Sequence, residues 1–454
     1  MTSTRKAPLP VPAPPTGAAP PTGAAPRLHA LAGQLLGGPL PLRLRAWDGS
    51  VAGPEGTPVV LIRNRRALRR LLWQPDELGL AQAYITAELD IEGDLADGLR
   101  TLGSAVRDRG PRPSRLTVGD RVRAARTALR LGAVGVRPPA PAAQARLTGS
   151  AHSRARDRAA ISHHYDLSND FYALLLDETM AYSCGYWTGD GPGYGAADAQ
   201  RDKLELICRK LALTPGARLL DIGCGWGSLT LYAAEEFKAR VTAVTLAAEQ
   251  AEYVRAEVGK RGLEELVEVR LCDYRDIEGG GYDAVSSVEM GEHVGDAEYP
   301  AFTALLHARA RPGGRVLVQQ MSRSATAPGG GAFIESYIAP DMHMRPLGDT
   351  VSLLEGAGLE VRAVEAMREH YVRTIRAWHR TLEERWDEFA ALVGPQTARV
   401  WRLYLAGSAL AFEERRMGVD QILAVRPTAT GESGMPAGGR PGALREWYRD
   451  GVPR

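Results

Sequence analysis

The run Leu219-Leu220-Asp221-Ile222-Gly223-Cys224-Gly225-Trp226-Gly227 leads an apolar strand into an Asp-x-Gly-x-Gly turn, and a helical pattern follows it. Gly223, Gly225 and Gly227 carry no Cβ to keep a ligand off the backbone, and glycine accepts the φ values that a tight strand-to-helix turn requires. Asp221 adds a carboxylate at the strand's end. Together they suit an adenosine-bearing cofactor. A dinucleotide site would read G-x-G-x-x-G, with an acidic residue about 20 positions further on. This chain instead reads G-C-G-W-G-S and reaches its next strand end at Thr245-Leu246. With no pyrophosphate to cradle, the turn fits a compact zwitterion such as S-adenosylmethionine, whose sulfonium and ammonium can lie near carboxylates.

Four further blocks concentrate polar and aromatic groups. The first runs from His163-His164-Tyr165-Asp166-Leu167-Ser168-Asn169-Asp170-Phe171-Tyr172 to Met180-Ala181-Tyr182-Ser183-Cys184-Gly185-Tyr186-Trp187. The others are Val244-Thr245-Leu246-Ala247-Ala248-Glu249-Gln250, Asp273-Tyr274-Arg275-Asp276 and Glu289-Met290-Gly291-Glu292-His293-Val294-Gly295. In this order, and with the glycine turn, they resemble the cyclopropane fatty acid synthase family over roughly residues 30 to 425.

The resemblance implies a Rossmann-like class I methyltransferase fold with a helical lid. It also implies transfer of a methylene from S-adenosylmethionine to the cis double bond of an unsaturated phospholipid acyl chain, with bicarbonate as the base. Carried over by motif, the anion cradle comprises the Cys184 backbone N–H, Glu292, and Tyr371 in His370-Tyr371-x-x-Thr374. Gln319, in Val318-Gln319-Gln320-Met321, stands where many members have histidine. Glutamine can donate to an anion but cannot become cationic. The outcome the resemblance implies is ring closure to a cyclopropane fatty acid, and with Gln319 at this position the alternative is proton loss from a neighbouring carbon to give a methylene-branched chain. A non-phospholipid alkene substrate and a catalytically silent lipid- or cofactor-binding relative are further alternatives. For the cofactor, the resemblance assigns Tyr182 and Ser183 to the methionine end, and Asp221, Gly223 and Gly225 to the loop. Thr245, Leu246 and Gln250 fall to the ribose side, and Asp273 and Tyr274 near the adenine.

An alkene is a weak nucleophile, so such chemistry leans on positioning and on groups that stabilise developing positive charge. Aromatic faces such as Tyr182, Tyr186 and Trp187 do this by cation–π attraction, roughly 0.5–2 kcal/mol each. No base partner for Cys184 as a nucleophile is evident, and Glu292 could equally cap the helical turn it begins. His163, His164 and His293 lack metal-ligand spacing, so no metal site is expected.

The elements that must position these groups follow from periodicity. Strands are expected at Arg218–Gly223, Arg240–Leu246, Val267–Cys272, Tyr282–Val288, Arg315–Gln320 and Leu359–Met367, with helical spacing between most of them. That alternation predicts a mostly parallel, doubly wound α/β sheet, with ligands beyond the carboxyl ends of its strands. A helical stretch from Thr374 to Glu414, broken near Gly394-Pro395, presents Trp378, Leu382, Trp386, Phe389, Leu392, Trp401 and Leu405. It packs on the sheet or lines an apolar tunnel.

Upstream, Leu42–Leu44 and Val59–Ile62 read as strands, and Arg66–Trp73 and Leu78–Ala87 as helices. The expected organisation is a Pro/Ala-rich tail at 1–26, a small N-terminal α/β domain at 27–102, a linker at 103–150, the catalytic domain at 151–426 and a tail at 427–454. Residues 101–160 hold 13 Arg and 3 Asp with no Lys or Glu, and one helix, Asp120–Leu131, carries Arg121, Arg123, Arg126 and Arg130. Such a helix is either a solvated linker or a docking element for an anionic bilayer.

The 454 residues carry a formal net charge of only +2, which argues against nucleic acid as a partner. No run of 18 apolar residues and no secretory h-region is present, so a cytoplasmic protein peripheral to the inner membrane face is expected. Cys184, Cys208, Cys224 and Cys272 read as reduced thiols. The expected partner is phospholipid, with a homodimer as a second association.

Overall fold

A computed structural model describes residues 23–35, 37–108, 118–145, 149, 153–154, 156–157, 168–324 and 330–435. The polar block from His163 to Leu167, the first 22 residues and residues 436–454 of the C-terminal tail lie outside these. The chain divides into two compact units: Met1–Pro75 with Ala87–Pro138, and Asp76–Thr86 with Pro139–Arg454.

The first unit opens with the helix Ala24–Leu35, which begins inside the segment read as a tail. Its sheet has the order β2-β1-β3-β4 and comprises β1 (Arg43–Ala46), β2 (Val51–Ala52), β3 (Val59–Ile62) and β4 (Leu89–Glu92). Asn64 caps the helix Arg65–Trp73 by accepting from the Arg66 N–H. From that helix Arg70, itself buried, clasps Glu88 through Nε and Nη2, each at 3.2 Å. A buried charge needs such a bidentate partner. The helix Val118–Arg130 leaves Val118, Val122 and Leu129 exposed beside the exposed Arg123, Arg126 and Arg130.

The second unit holds a seven-stranded sheet in the order β10-β11-β9-β8-β5-β6-β7. Its strands are β5 (Arg218–Ile222), β6 (Arg240–Thr245), β7 (Val267–Leu271), β8 (Tyr282–Val288), β9 (Ala310–Ser322), β10 (Glu360–Ala366) and β11 (Gly418–Val425). β5 to β9 pair in parallel, and β11 runs antiparallel to both β9 and β10. β5, four of whose five residues are buried, has the near-continuous apolar character of a strand covered on both faces. The sheet is the mostly parallel α/β sheet expected, with one strand the periodicity did not reveal: β11 follows the long helical stretch and inserts between β9 and β10.

The chain winds outward from β5 through β6 to β7 and then returns to β8 on the other side of β5. The order therefore reverses between the carboxyl ends of β5 and β8, where a ligand crevice forms. Gly223 and Glu289 are the residues that directly follow those two strands.

The helical stretch divides twice, into Arg368–Glu384, Trp386–Val393 and Pro395–Glu413. Its aromatic face packs on the helix Asn169–Leu175: Phe171 lies 5.4 Å from Phe389 and 4.7 Å from Trp401. The helix Glu77–Ile85, read from the sequence as part of the N-terminal domain, buries Leu78, Ala81 and Ile85 in this same cluster, which is why it belongs to the second unit.

Candidate active site

A cleft of about 1080 Å³, open mouth included, lies at the switch point. Its floor is the glycine turn. Gly223 has φ +80°, and a Cβ there would stand 2.7 Å from Met290 Cγ, so only glycine fits. Gly225 has φ +55° and, apart from its own chain neighbours, no protein atom within 4 Å of where its Cβ would be. That clearance leaves the backbone open to a ligand. The N–H groups of Gly223 and Cys224 both donate to Val244 O, at 2.9 and 3.0 Å, and so tie the turn to β6.

Asp221 is buried and accepts from the hydroxyls of Thr230 at 2.8 Å and Ser286 at 2.9 Å. Burial raises its pKa, and the two hydroxyls oppose that rise. Thr245 Oγ1 donates to Gln250 Oε1 at 2.8 Å, which commits the glutamine's oxygen and leaves its amide N–H₂ as the donating end. Leu246, Cys272, Tyr274 and Arg275 complete this wall. Asp273 is chelated by Arg275, at 2.8 and 2.7 Å, and the cleft surface passes to Tyr274 and Arg275. Ser183 Oγ accepts at 2.8 Å from Lys203 Nζ, a buried cation that also lines the cleft. Burial pulls the Lys203 pKa down, and the nearby Glu289 pulls it back up.

At the other end the walls are aromatic. The Tyr182 ring lies 5.2 Å from Trp378, 5.5 Å from Tyr172 and 6.0 Å from Trp401, and its hydroxyl donates to that of Tyr404 at 3.3 Å. Trp226 lies tilted against Tyr172, with ring centroids 4.3 Å apart. Tyr186 and Trp187, expected to share in stabilising positive charge, are engaged elsewhere. Tyr186 stacks on His370 and donates to Glu365, whereas Trp187 lies under the Arg373 guanidinium and donates to Thr374. Of these three aromatic residues, Tyr182 is the one that lines the cleft.

Of the residues expected around an anion, Cys184, Tyr371 and Gln319 converge, on a carboxylate given no role from the sequence, and Glu292 does not join them. Glu289 Oε1 accepts from the Cys184 N–H at 2.8 Å and from Gln319 Nε2 at 2.9 Å, and Oε2 accepts from Tyr371 OH at 2.7 Å. Glu289 lay in plain view within the Glu289–Gly295 block. Glu292 turns away from these donors: its Oε1 accepts from the Met321 N–H at 2.6 Å, and its buried Oε2 has no hydrogen-bond partner. Burial, and then the Glu289 charge, push Glu292 up to about 8. Burial raises Glu289 too, but its three donors oppose the rise. Of the two carboxyls, Glu292 is the one pushed furthest toward its protonated form, whereas the donors around Glu289 favour its charged form. Burial and the same charge push the Cys184 thiol well above its ordinary range, which leaves it inert as a nucleophile. Among the described residues no cluster of His, Cys, Asp or Glu is arranged to hold a metal ion.

A glycine turn at a switch point, open to an adenosyl group and facing an aromatic pocket, is matched by known proteins. The family model described as mycolic acid cyclopropane synthetase covers residues 152–422. The chain belongs to this family.

This cyclopropane synthetase-family chain is 38% identical over 430 residues to a probable fatty acid methyltransferase of Mycobacterium tuberculosis, covering 91% of this chain and 96% of that one. It is 33% identical over 401 residues to the tuberculostearic acid methyltransferase UfaA1 of the same organism, covering 85% and 88%. The solved structure of the mycolic acid cyclopropane synthase CmaA1, complexed with SAH and CTAB, superposes with a TM-score of 0.56 at 28% identity, over 59% of this chain and 97% of that one.

As a member of the cyclopropane synthetase family, the chain is an S-adenosylmethionine-dependent lipid methyltransferase. The cleft fits that cofactor: Gly223 and Gly225 leave the backbone bare, Gln250 offers an amide, and Ser183 with Lys203 stands at the side of Tyr182. Among the described residues no helix is long and apolar enough to cross a membrane.

Proposed function

We propose that this enzyme methylates the cis double bond of an unsaturated phospholipid acyl chain and leaves a methylene-branched chain. The observation that carries the reading is the reacting end of the cleft, where aromatic faces centred on Tyr182 meet a buried carboxylate and the nearby thiol is inert. Bound S-adenosylmethionine supplies an electrophilic methyl group. Tyr182, backed by Trp378 and Trp401, stabilises the positive charge that develops on the hydrocarbon. The buried walls exclude water that would otherwise trap the cation.

The similarity to proteins called fatty acid methyltransferases supports the branched product. A second reading, closure of a cyclopropane ring, is supported by the family description and by the likeness to CmaA1. The helix Val118–Arg130 supplies an exposed basic and apolar face for an anionic bilayer.

The test is mass spectrometry of lipids after incubation with methyl-labelled S-adenosylmethionine and vesicles of cis-unsaturated phospholipid. A labelled gain of one CH₂ in a product that takes up H₂ under mild hydrogenation, with the label retained as a methyl branch, is expected for the methylene branch. A gain that resists hydrogenation would give the ring reading instead, and label absent from lipid would reject both.

A further inference from the structure

The donors that the family resemblance reserves for bicarbonate are already occupied. A carboxylate is the same planar O–C–O anion as bicarbonate, and Glu289 sets it where the Cys184 N–H, the Gln319 amide and the Tyr371 hydroxyl converge. The backbone is bent to put it there. Glu289 has φ +50°, a left-handed conformation uncommon for any residue but glycine, and its N–H donates to Gln319 O at 2.6 Å.

Behind Gln319 runs a buried relay whose direction is set by a group that can only donate. Lys210 Nζ donates to Gln421 Oε1 at 2.8 Å and to Glu365 Oε2 at 2.5 Å. Gln421 Nε2 therefore faces the other way and donates to Gln319 Oε1 at 2.8 Å. Gln319 is left presenting its N–H₂ to Glu289. The ammonium thus imposes, through two amides, a donor on the carboxylate.

We propose that Glu289 is the proton acceptor of the methylation in place of bicarbonate, and that Lys210, acting through Gln421 and Gln319, is a positioning residue that holds a donor on it. The inference rests on the alkene-methylation reading above. The alkene π pair forms the bond to the methyl carbon, and the C–S pair leaves with sulfur. The proton is then lost from the added methyl carbon to a Glu289 oxygen. Its C–H pair either closes a ring onto the cationic carbon or, after a 1,2-hydride shift has moved the charge to the methylated carbon, becomes the exocyclic double bond. Either product takes its proton from the same carbon, so one fixed base serves both. Glu289 returns that proton to water between turnovers.

Three variants and one probe test this. Glu289→Gln keeps the shape and removes the base: turnover is expected to fall about 100-fold or more, with S-adenosylhomocysteine binding, measured by calorimetry, unchanged. Glu289→Gly suits the local φ and opens the cradle. ¹³C-bicarbonate is expected to bind this variant by NMR and raise its turnover, while neither binding to the wild type nor changing the wild-type rate in bicarbonate-stripped buffer. Saturable bicarbonate binding to the wild type, bicarbonate-dependent wild-type turnover, or wild-type turnover in Glu289→Gln would each overturn the proposal. For the relay, Gln421→Met frees the Gln319 amide to rotate, and the acid limb of kcat/KM is expected to move to higher pH by about one unit. An unmoved limb would remove Lys210 from the account. The NMR arm needs no turnover, so a failure of the lipid reading shows separately, as absence of label in lipid.

Discussion

Glu292 and Glu289 lie three residues apart and are held in opposite ways. The difference is a matter of donors: three hydrogen bonds reach Glu289, whereas Glu292 receives the Met321 N–H and leaves a second oxygen unpartnered. Because Glu292 is pushed up to about 8 from an ordinary 4.5, the folded chain keeps a proton that the unfolded chain releases. The associated stability is full below the unfolded value and is lost as pH rises through about 8. Glu292→Gln keeps an oxygen for Met321 and has nothing to ionise. Its melting temperature relative to wild type is therefore expected to rise steadily from pH 5 to pH 9, by the equivalent of at most a few kcal/mol. A difference that stays flat across that range would show that Glu292 is ionised in the folded protein. Gly223 makes a second prediction at this scale. Alanine there meets Met290 at 2.7 Å and must hold φ +80°, so Gly223→Ala is expected to weaken S-adenosylhomocysteine binding at least tenfold by calorimetry while the circular dichroism spectrum is retained.

Among the elements, the helices after β10 and the helix Val118–Arg130 show two uses of amphipathic character. Phe389 and Trp401 are buried against Phe171 of the helix Asn169–Leu175, and Trp378 and Trp401 lie behind Tyr182, so these apolar positions serve as packing around the cleft's aromatic side chain. The helix Val118–Arg130, by contrast, keeps Val118, Val122 and Leu129 exposed in its own unit, beside three exposed arginines. If it docks on a bilayer, replacing Arg123, Arg126 and Arg130 by Gln should weaken co-sedimentation with anionic vesicles at low salt, each contributing up to about 1 kcal/mol, and the deficit should shrink as salt is raised. Equal sedimentation of variant and wild type at low salt would mean that the helix is a solvated connector.

Over the whole molecule, what was legible in the sequence is what local pattern can encode. The Asp221–Gly227 turn, the parallel strands β5 to β8 and the break at Gly394 follow from glycine geometry and from apolar periodicity, which act within a few residues. The ordered blocks carried the family and its cofactor. Other features depended on partners distant in the chain. β11 is an apolar run whose role is settled only by the gap between β9 and β10. Tyr186 and Trp187 sit in the same aromatic block as Tyr182, yet His370 and Thr374 draw them away from the cleft. Glu289 is the sharpest case: its donors stand 105, 30 and 82 residues from it in sequence, at Cys184, Gln319 and Tyr371. By itself, then, the sequence determined the fold class and the cofactor, and it put Cys184, Gln319 and Tyr371 forward as candidate polar groups. Only the tertiary structure decided which carboxylate those groups serve, because a hydrogen bond requires its partners within about 3 Å and sheet order, not sequence spacing, brings them there.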